Sequence, residues 1–173
     1  MKINEDLIIG NTKLTETVNP TFSYAQMKTS NPSKSITGET FIKEWMYGMK
    51  IGDFYYNTSQ GFICVPHGTA KVIQICGVIA GNGYFSAQYH IQDGNGTTMD
   101  YNAAGYTYQS LGMLEQLGGN NYWKVPMPTI NIIIPDTTKD WYVYYKVSPY
   151  NATSFDFNGG FGAASWFSVM KLA

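Results

Sequence analysis

An all-β fold, a sandwich or a barrel, is what this sequence predicts, and three observations predict it. About eight to ten short strand-like runs are separated by clusters of Gly, Pro, Asn and Asp. Aromatics make up 16% of the chain, with 14 Tyr and 9 Phe, and such side chains favour pleated surfaces over helices. No fixed-period repeat points to a propeller or a β-helix. The 173 residues suit one domain with a real core, plus an appendage.

In chain order, Leu7 to Leu14 reads as a short strand, a Gly-Asn turn and a second short strand. Thr15 to Ser35, rich in Thr, Ser and Asn and carrying Pro20 and Pro32, reads as an extended linker. The expected division is therefore an arm or stem over residues 1–35 and a body over 36–173. Phe41 to Met49 is expected to be a strand. A helical spacing (Phe41, Trp45, Met49) competes, but Gly48 and Gly52 weaken it. Phe54-Tyr55-Tyr56 precedes the turn residues Asn57 to Gly61.

The stretch from Gly61 to Gly83 is the most apolar. Phe62 to Val65 meets Pro66 and Gly68, strong turn residues, and Lys71 to Ala80 follows as a β-branched run. Strand alternation puts Ile73, Ile75 and Ile79 on one face and Val72, Cys76 and Val78, with Gln74, on the other. A strand apolar on both faces is expected to be covered on both, so one face belongs to the core and the other to a second sheet or another subunit. Val72, Gln74, Cys76 and Val78 are the expected subunit contacts. A hairpin at His67-Gly68 would pair Cys64 with Lys71 rather than Cys76, so two free core thiols are expected and a disulfide is not.

Tyr84 to Ile91 alternates as a strand, and Asp93-Gly94-Asn95-Gly96 is a strong turn signal. Met99 to Tyr108 is a Tyr-rich strand or loop. Residues 110–128 read as the longest irregular stretch, with one helical turn offered by Leu111, Leu114 and Leu117. Thr129 to Ile134, Trp141 to Val147 and Ala164 to Leu172 are the remaining strands, the middle one aromatic on both faces. Trp45, Trp141 and Trp166 are expected in the core or an interface.

Composition excludes several function classes. The formal net charge is −1, so no basic field exists to hold a phosphate backbone, and nucleic acid is a poor partner. No run of about 18 apolar residues predicts a membrane span. Met1 to Asp6 carries acids where a signal peptide has its apolar core, so synthesis in a cytosol without export is expected. The Cys and His spacing lacks a zinc pattern, and no metal or cofactor is expected. Asp93 to Thr98 begins like a calcium loop but has Thr98 and Ala104 where an EF-hand needs Gly and Glu.

For catalysis, His67 lies in a turn and His90 in a strand, and the aspartates flank turns where their local hydrogen bonds explain them. No nucleophile elbow or phosphate loop occurs. No enzyme is therefore expected, a pair of loop carboxylates acting on a polysaccharide being the weakest alternative. Sugar binding fits better, because sugars present apolar faces and many hydroxyls and are met by aromatic platforms beside amides and carboxylates. Asn120, Asn121, Tyr122 and Trp123 form one such combination, and Tyr101, Tyr106 and Tyr108 a second. The competing reading is that these rings lie on a sheet face or at a subunit contact.

Phe62 to Ile73, with its strand, Pro-x-Gly and Lys-Val strand, resembles the pattern of small bacteriophage head domains, as do the Asp-Gly-Asn-Gly turn and the closing strand Ser165 to Leu172. Those domains are similar to the trimeric jelly-roll heads of the tumour necrosis factor and complement superfamily. The resemblance covers Ile36 to Ala173, and Ile8 to Leu14 looks like the stem start of phage tail proteins. It implies a jelly-roll β-sandwich with an N-terminal arm, a homotrimer, and a place in the virion tail after synthesis in the bacterial cytoplasm. The function it implies is a receptor-binding head that recognises host cell-surface polysaccharide and meets other tail proteins through its arm. The alternative from another class is a structural decoration or adaptor protein that binds only protein.

Overall fold

A computed structural model describes residues 8–9, 12–13, 22–29, 34–43, 45–99, 114–116, 122–150, 152–157 and 165–173. These residues form an antiparallel β-sandwich of two packed sheets, and no helix occurs among them. The first sheet holds β3 (Tyr24–Lys28), β6 (Tyr47–Ile51), β9 (Val72–Asn82), β12 (Tyr122–Ile133) and β15 (Trp166–Lys171). They run side by side as β12-β9-β15-β3-β6, with β14 (Phe155–Phe157) and β4 (Lys34–Ile36) continuing beside β9. The second sheet runs β11-β10-β13-β8-β7, from β11 (Leu114–Gln116), β10 (Phe85–Asp93), β13 (Trp141–Pro149), β8 (Phe62–Val65) and β7 (Tyr55–Asn57). A short β5 (Thr40–Phe41) also pairs with β13. Counted along the chain, the eight principal strands alternate between sheets as 1-8-3-6 and 2-7-4-5, the jelly-roll order. A separate pair, β1 (Ile8–Ile9) and β2 (Thr12–Lys13), matches the two short strands read from Leu7 to Leu14.

The core lies between the sheets and follows the two-residue period. Ile73, Ile75 and Ile79 of β9 face Phe85, Ala87, Tyr89 and Ile91 of β10 and Val143, Tyr145 and Val147 of β13, and all are buried. Phe167 is fully buried and makes edge-on contacts with Trp45 at 5.1 Å and Tyr145 at 5.4 Å. Ring pairs of this geometry add to the stabilisation from burial alone.

Four expectations are corrected. β8 and β9 are not a hairpin: β8 lies in the second sheet and β9 in the first, so Pro66 to Lys71 is a corner between sheets. The corner is pinned to the β12–β13 connection by the Gly68 N–H donating to the Thr137 carbonyl at 2.7 Å. Cys64 and Cys76 are free thiols, though for this different reason, and only Cys64 is buried; Cys76 is half-exposed on the outward side of β9 rather than in the core. The linker reading of Thr15 to Ser35 fails over Tyr24–Lys28, which is an inner strand of the first sheet between β15 and β6, with Ala25 and Met27 fully buried. The body therefore begins well before residue 36. Phe41 to Met49 is not one strand but two short ones in different sheets, β5 and β6.

The fourth correction concerns residues 110–128. Tyr122 to Pro128 belongs to β12, and Leu114–Gln116 is a strand paired with β10 rather than a helical turn. Pro126 and Pro128 are tolerated because β12 pairs along one side only among the described residues, so a missing N–H need not break a ladder bond. Between Met127 and Ile130 the register with β9 slips. Two prolines and a bulge are common means of blunting an edge against further pairing.

Candidate functional site

The two outer faces of the sandwich differ in chemistry. On the second sheet, alternation turns Tyr142 and Tyr144 outward from β13, opposite to the buried Val143 and Tyr145. Register then sets Tyr142 between Cys64 and Gln92, and Tyr144 between Phe62 and His90, while Tyr55 of β7 lies opposite Cys64. Phe62 stands edge-on to Tyr142 at 4.8 Å and to Tyr144 at 5.7 Å. Phe41 packs 4.8 Å from Tyr144 and 5.0 Å from His90. Each ring is thus held by another ring rather than by solvent.

Hydrogen bonds fix the same rings. Tyr55 is bonded to Cys64 and to Tyr142, and its hydroxyl pKa is raised by the Cys64 contact and by burial. Burial beneath these rings pushes the Cys64 thiol up to about 11, which favours its protonated form. Gln92 Nε2 donates to the Tyr144 hydroxyl at 3.4 Å. Burial lowers the pKa of His90, and its Nε2 lies 3.2 Å from Gln92 Oε1.

Tyr55, Gln60, Gln92, Tyr142 and Tyr144 line an open trough of about 240 Å³ on this face. At Asp93, Gly94 and Tyr142 it meets a second depression of about 300 Å³, walled by His67, Thr138, Lys139 and Asp140. Gly94 keeps the junction low: a Cβ there would already touch the Tyr142 ring at 3.6 Å.

The junction is rigid because Asp93 is used structurally. Its Oδ1 accepts the Asn95 and Thr97 N–H groups, both at 2.9 Å, which is the Asx geometry that closes the Asp93 to Gly96 turn. Its Oδ2 meets Lys139 Nζ at 3.3 Å. These donors, the Thr97 N–H foremost, hold the carboxyl below the usual carboxylate range. Asp140 is lowered in the same way by the His67 N–H and then by its imidazole, whose Nδ1 lies 2.9 Å away. Asp136 is lowered by the hydroxyl and N–H of Thr138.

The outer face of the first sheet is more apolar, with methionine, isoleucine and valine side chains interspersed with polar ones. Val72, Gln74, Cys76 and Val78, the expected contact residues, all lie on it and are half-exposed, while the opposite face of β9 fills the core. Register extends the face across four more strands: Gln74 lies beside Met170, then Tyr24, then Ile51, and Cys76 beside Ser168, Gln26 and Met49. Ile133 lies opposite Val72 on the other side. Met49, Ile51 and Ile133 are 51%, 52% and 60% exposed. Two polar pairs on this face are local, Gln74 to Asn131 at 3.1 Å and Cys76 to Ser168 at 3.2 Å, and Lys28 lies exposed beside Trp166.

Of the aromatic residues expected to bind ligand, Tyr101, Tyr106 and Tyr108, with Asn120 and Asn121, lie outside the described residues. Tyr122 and Trp123 are not in an irregular loop but on β12, opposite Asn82 and Gly81, and only their backbone is described. The trough residues Tyr55, Gln60, Gln92, Tyr142 and Tyr144 were not singled out by the sequence. The available signal was the double-faced aromatic run Trp141 to Tyr145, whose outward half had to land somewhere. No protein-family model matches the chain, and no curated protein matches its sequence. What the fold and surface define is a class: a jelly-roll β-sandwich with one aromatic–polar face and one more apolar face.

Proposed function

We propose that this protein is a non-enzymatic, homotrimeric receptor-binding head of the phage-tail kind, which holds cell-surface polysaccharide on its second sheet. The observation that carries the reading is the asymmetry of the two faces. Tyr142, Tyr144 and Tyr55, locked by Phe62 and Cys64 and flanked by Gln60, Gln92 and Asp93, combine flat apolar surface with amide and carboxylate partners. That is the composition sugar sites need. The first sheet instead offers Met49, Ile51, Ile133 and the outward side chains of β9, a surface suited to sister subunits. The jelly-roll order supports the resemblance to trimeric heads, and a virion location follows from that resemblance.

The test is binding of the purified chain to host cells and to isolated surface polysaccharide, with Tyr142→Ala and Tyr144→Ala as controls. Saturable binding that each substitution weakens by tenfold or more is expected. Binding to no glycan, with retained binding to another tail protein, overturns it in favour of a structural adaptor. Release of shortened products from the polysaccharide overturns the non-enzymatic half.

A further inference from the structure

The charge around the trough selects among polysaccharides. We propose that this site takes an uncharged glycan chain and discriminates against acidic ones, those carrying uronate, sialate or phosphate groups; this rests on the reading of the trough as a glycan site. Among the described residues, its tyrosine-lined half has no cation in its wall, and Asp93 is the one carboxylate there. The neighbouring half has Lys139, but that ammonium sits between Asp93 Oδ2 at 3.3 Å and Asp136 Oδ2 at 3.8 Å. An anionic sugar would have to displace one of these carboxylates to reach it.

Asp140 adds a third carboxylate, and its Oδ1 already accepts the His67 N–H at 2.8 Å and lies 2.9 Å from the His67 imidazole. The local balance is three carboxylates, Asp93, Asp136 and Asp140, against one lysine. Asp93, Asp140 and Lys139 line one depression and Asp136 stands beside Lys139, so a ligand there lies within the ~8–10 Å over which charges act at ordinary salt. Neutral hydroxyls lose nothing in this field, since carboxylate and amide oxygens accept from them. A sugar carboxylate meets repulsion without a free partner. Bidentate arginine, the usual answer to anionic groups, is absent because the sequence contains no arginine. Lys139, the cation among the described residues that wall the site, is already paired with two aspartates.

The experiment uses the full chain on an array of purified bacterial polysaccharides, neutral and acidic, at 50 and 500 mM salt, beside matched mannan and polymannuronate. Neutral members are expected to bind at least tenfold tighter than acidic ones at low salt, and the gap should narrow at high salt. Asp136→Asn with Asp140→Asn is expected to narrow it several-fold at low salt. Because that variant could unfold, the salt series on the unaltered chain stands as the independent reading. An acidic glycan that binds as tightly as the neutral ones, and is lost in Tyr142→Ala, overturns the selectivity while leaving the glycan site intact. Absence of any binder, or binders indifferent to Tyr142→Ala, overturns the glycan site and this inference together.

Discussion

Replacing Ile51 and Ile133 by lysine tests the subunit role of the first sheet. Both side chains lie on its outer face, at opposite edges, and slightly more than half of each is exposed. Full burial of an isoleucine stabilises by about 1.5–3 kcal/mol, so covering the exposed half in an assembly is worth about 0.8–1.5 kcal/mol per side chain. Two such losses amount to about 1.6–3 kcal/mol per subunit, roughly a 10- to 100-fold weaker contact, before counting the cost of burying an ammonium. The fold should survive, because neither side chain reaches the core. Light scattering coupled to gel filtration, over a hundredfold range of protein concentration, reads the result. The unaltered chain is expected at three times 19.3 kDa and the double variant at 19.3 kDa on dilution. A stable monomer for the unaltered chain, or a double variant as tightly associated as its parent, would falsify the assignment of this face.

Three further outcomes follow from the geometry. Gly94→Leu should fill the trough junction beside Tyr142 and lower glycan affinity at least tenfold with little change in melting temperature, measured by calorimetry on the same sample. Phe167→Ala, which empties a fully buried site against Trp45 and Tyr145, should cost about 3–5 kcal/mol in urea unfolding. Asp93, Asp136 and Asp140 all titrate below their unfolded values, so their stabilisation is complete above the ordinary carboxylate range near pH ~4 and is lost as pH falls through the folded values. The urea midpoint should therefore drop between pH 4.5 and 2.5, and Asp93→Asn should lower it at pH 7 while flattening that acid limb; a slope equal to the parent's refutes the role given to the turn.

Local pattern was enough for some of this. The alternation of Ile73, Ile75 and Ile79 against Val72, Gln74, Cys76 and Val78 is a property of a strand whatever it pairs with, and the core took the isoleucine face. The Asp93 to Gly96 turn was equally legible, because an Asx turn is made within five residues. Pro66-His67-Gly68 was misread because a turn signal is the same whether the chain folds back in one sheet or crosses to another. Tyr24–Lys28 was hidden because its strand state comes from β15 and β6 on either side, not from its own weak β-propensity. Pro126 and Pro128 hid β12 because prolines mark loops unless the strand is an edge, and edges are defined only by the whole sheet.

The sequence by itself determined an all-β chain, two free thiols, the two-faced β9 and the absence of a basic field, since each depends on composition or on contacts a few residues apart. Only the tertiary structure decided that Tyr55, Phe62, Gln92 and Tyr142 share one surface. They come from four strands spread over 88 positions of sequence, and nothing local records which strands a jelly roll lays side by side. The same non-local pairing gathers Met49, Ile51, Cys76 and Ile133 onto the opposite face, so both candidate functions of the molecule are products of its strand order.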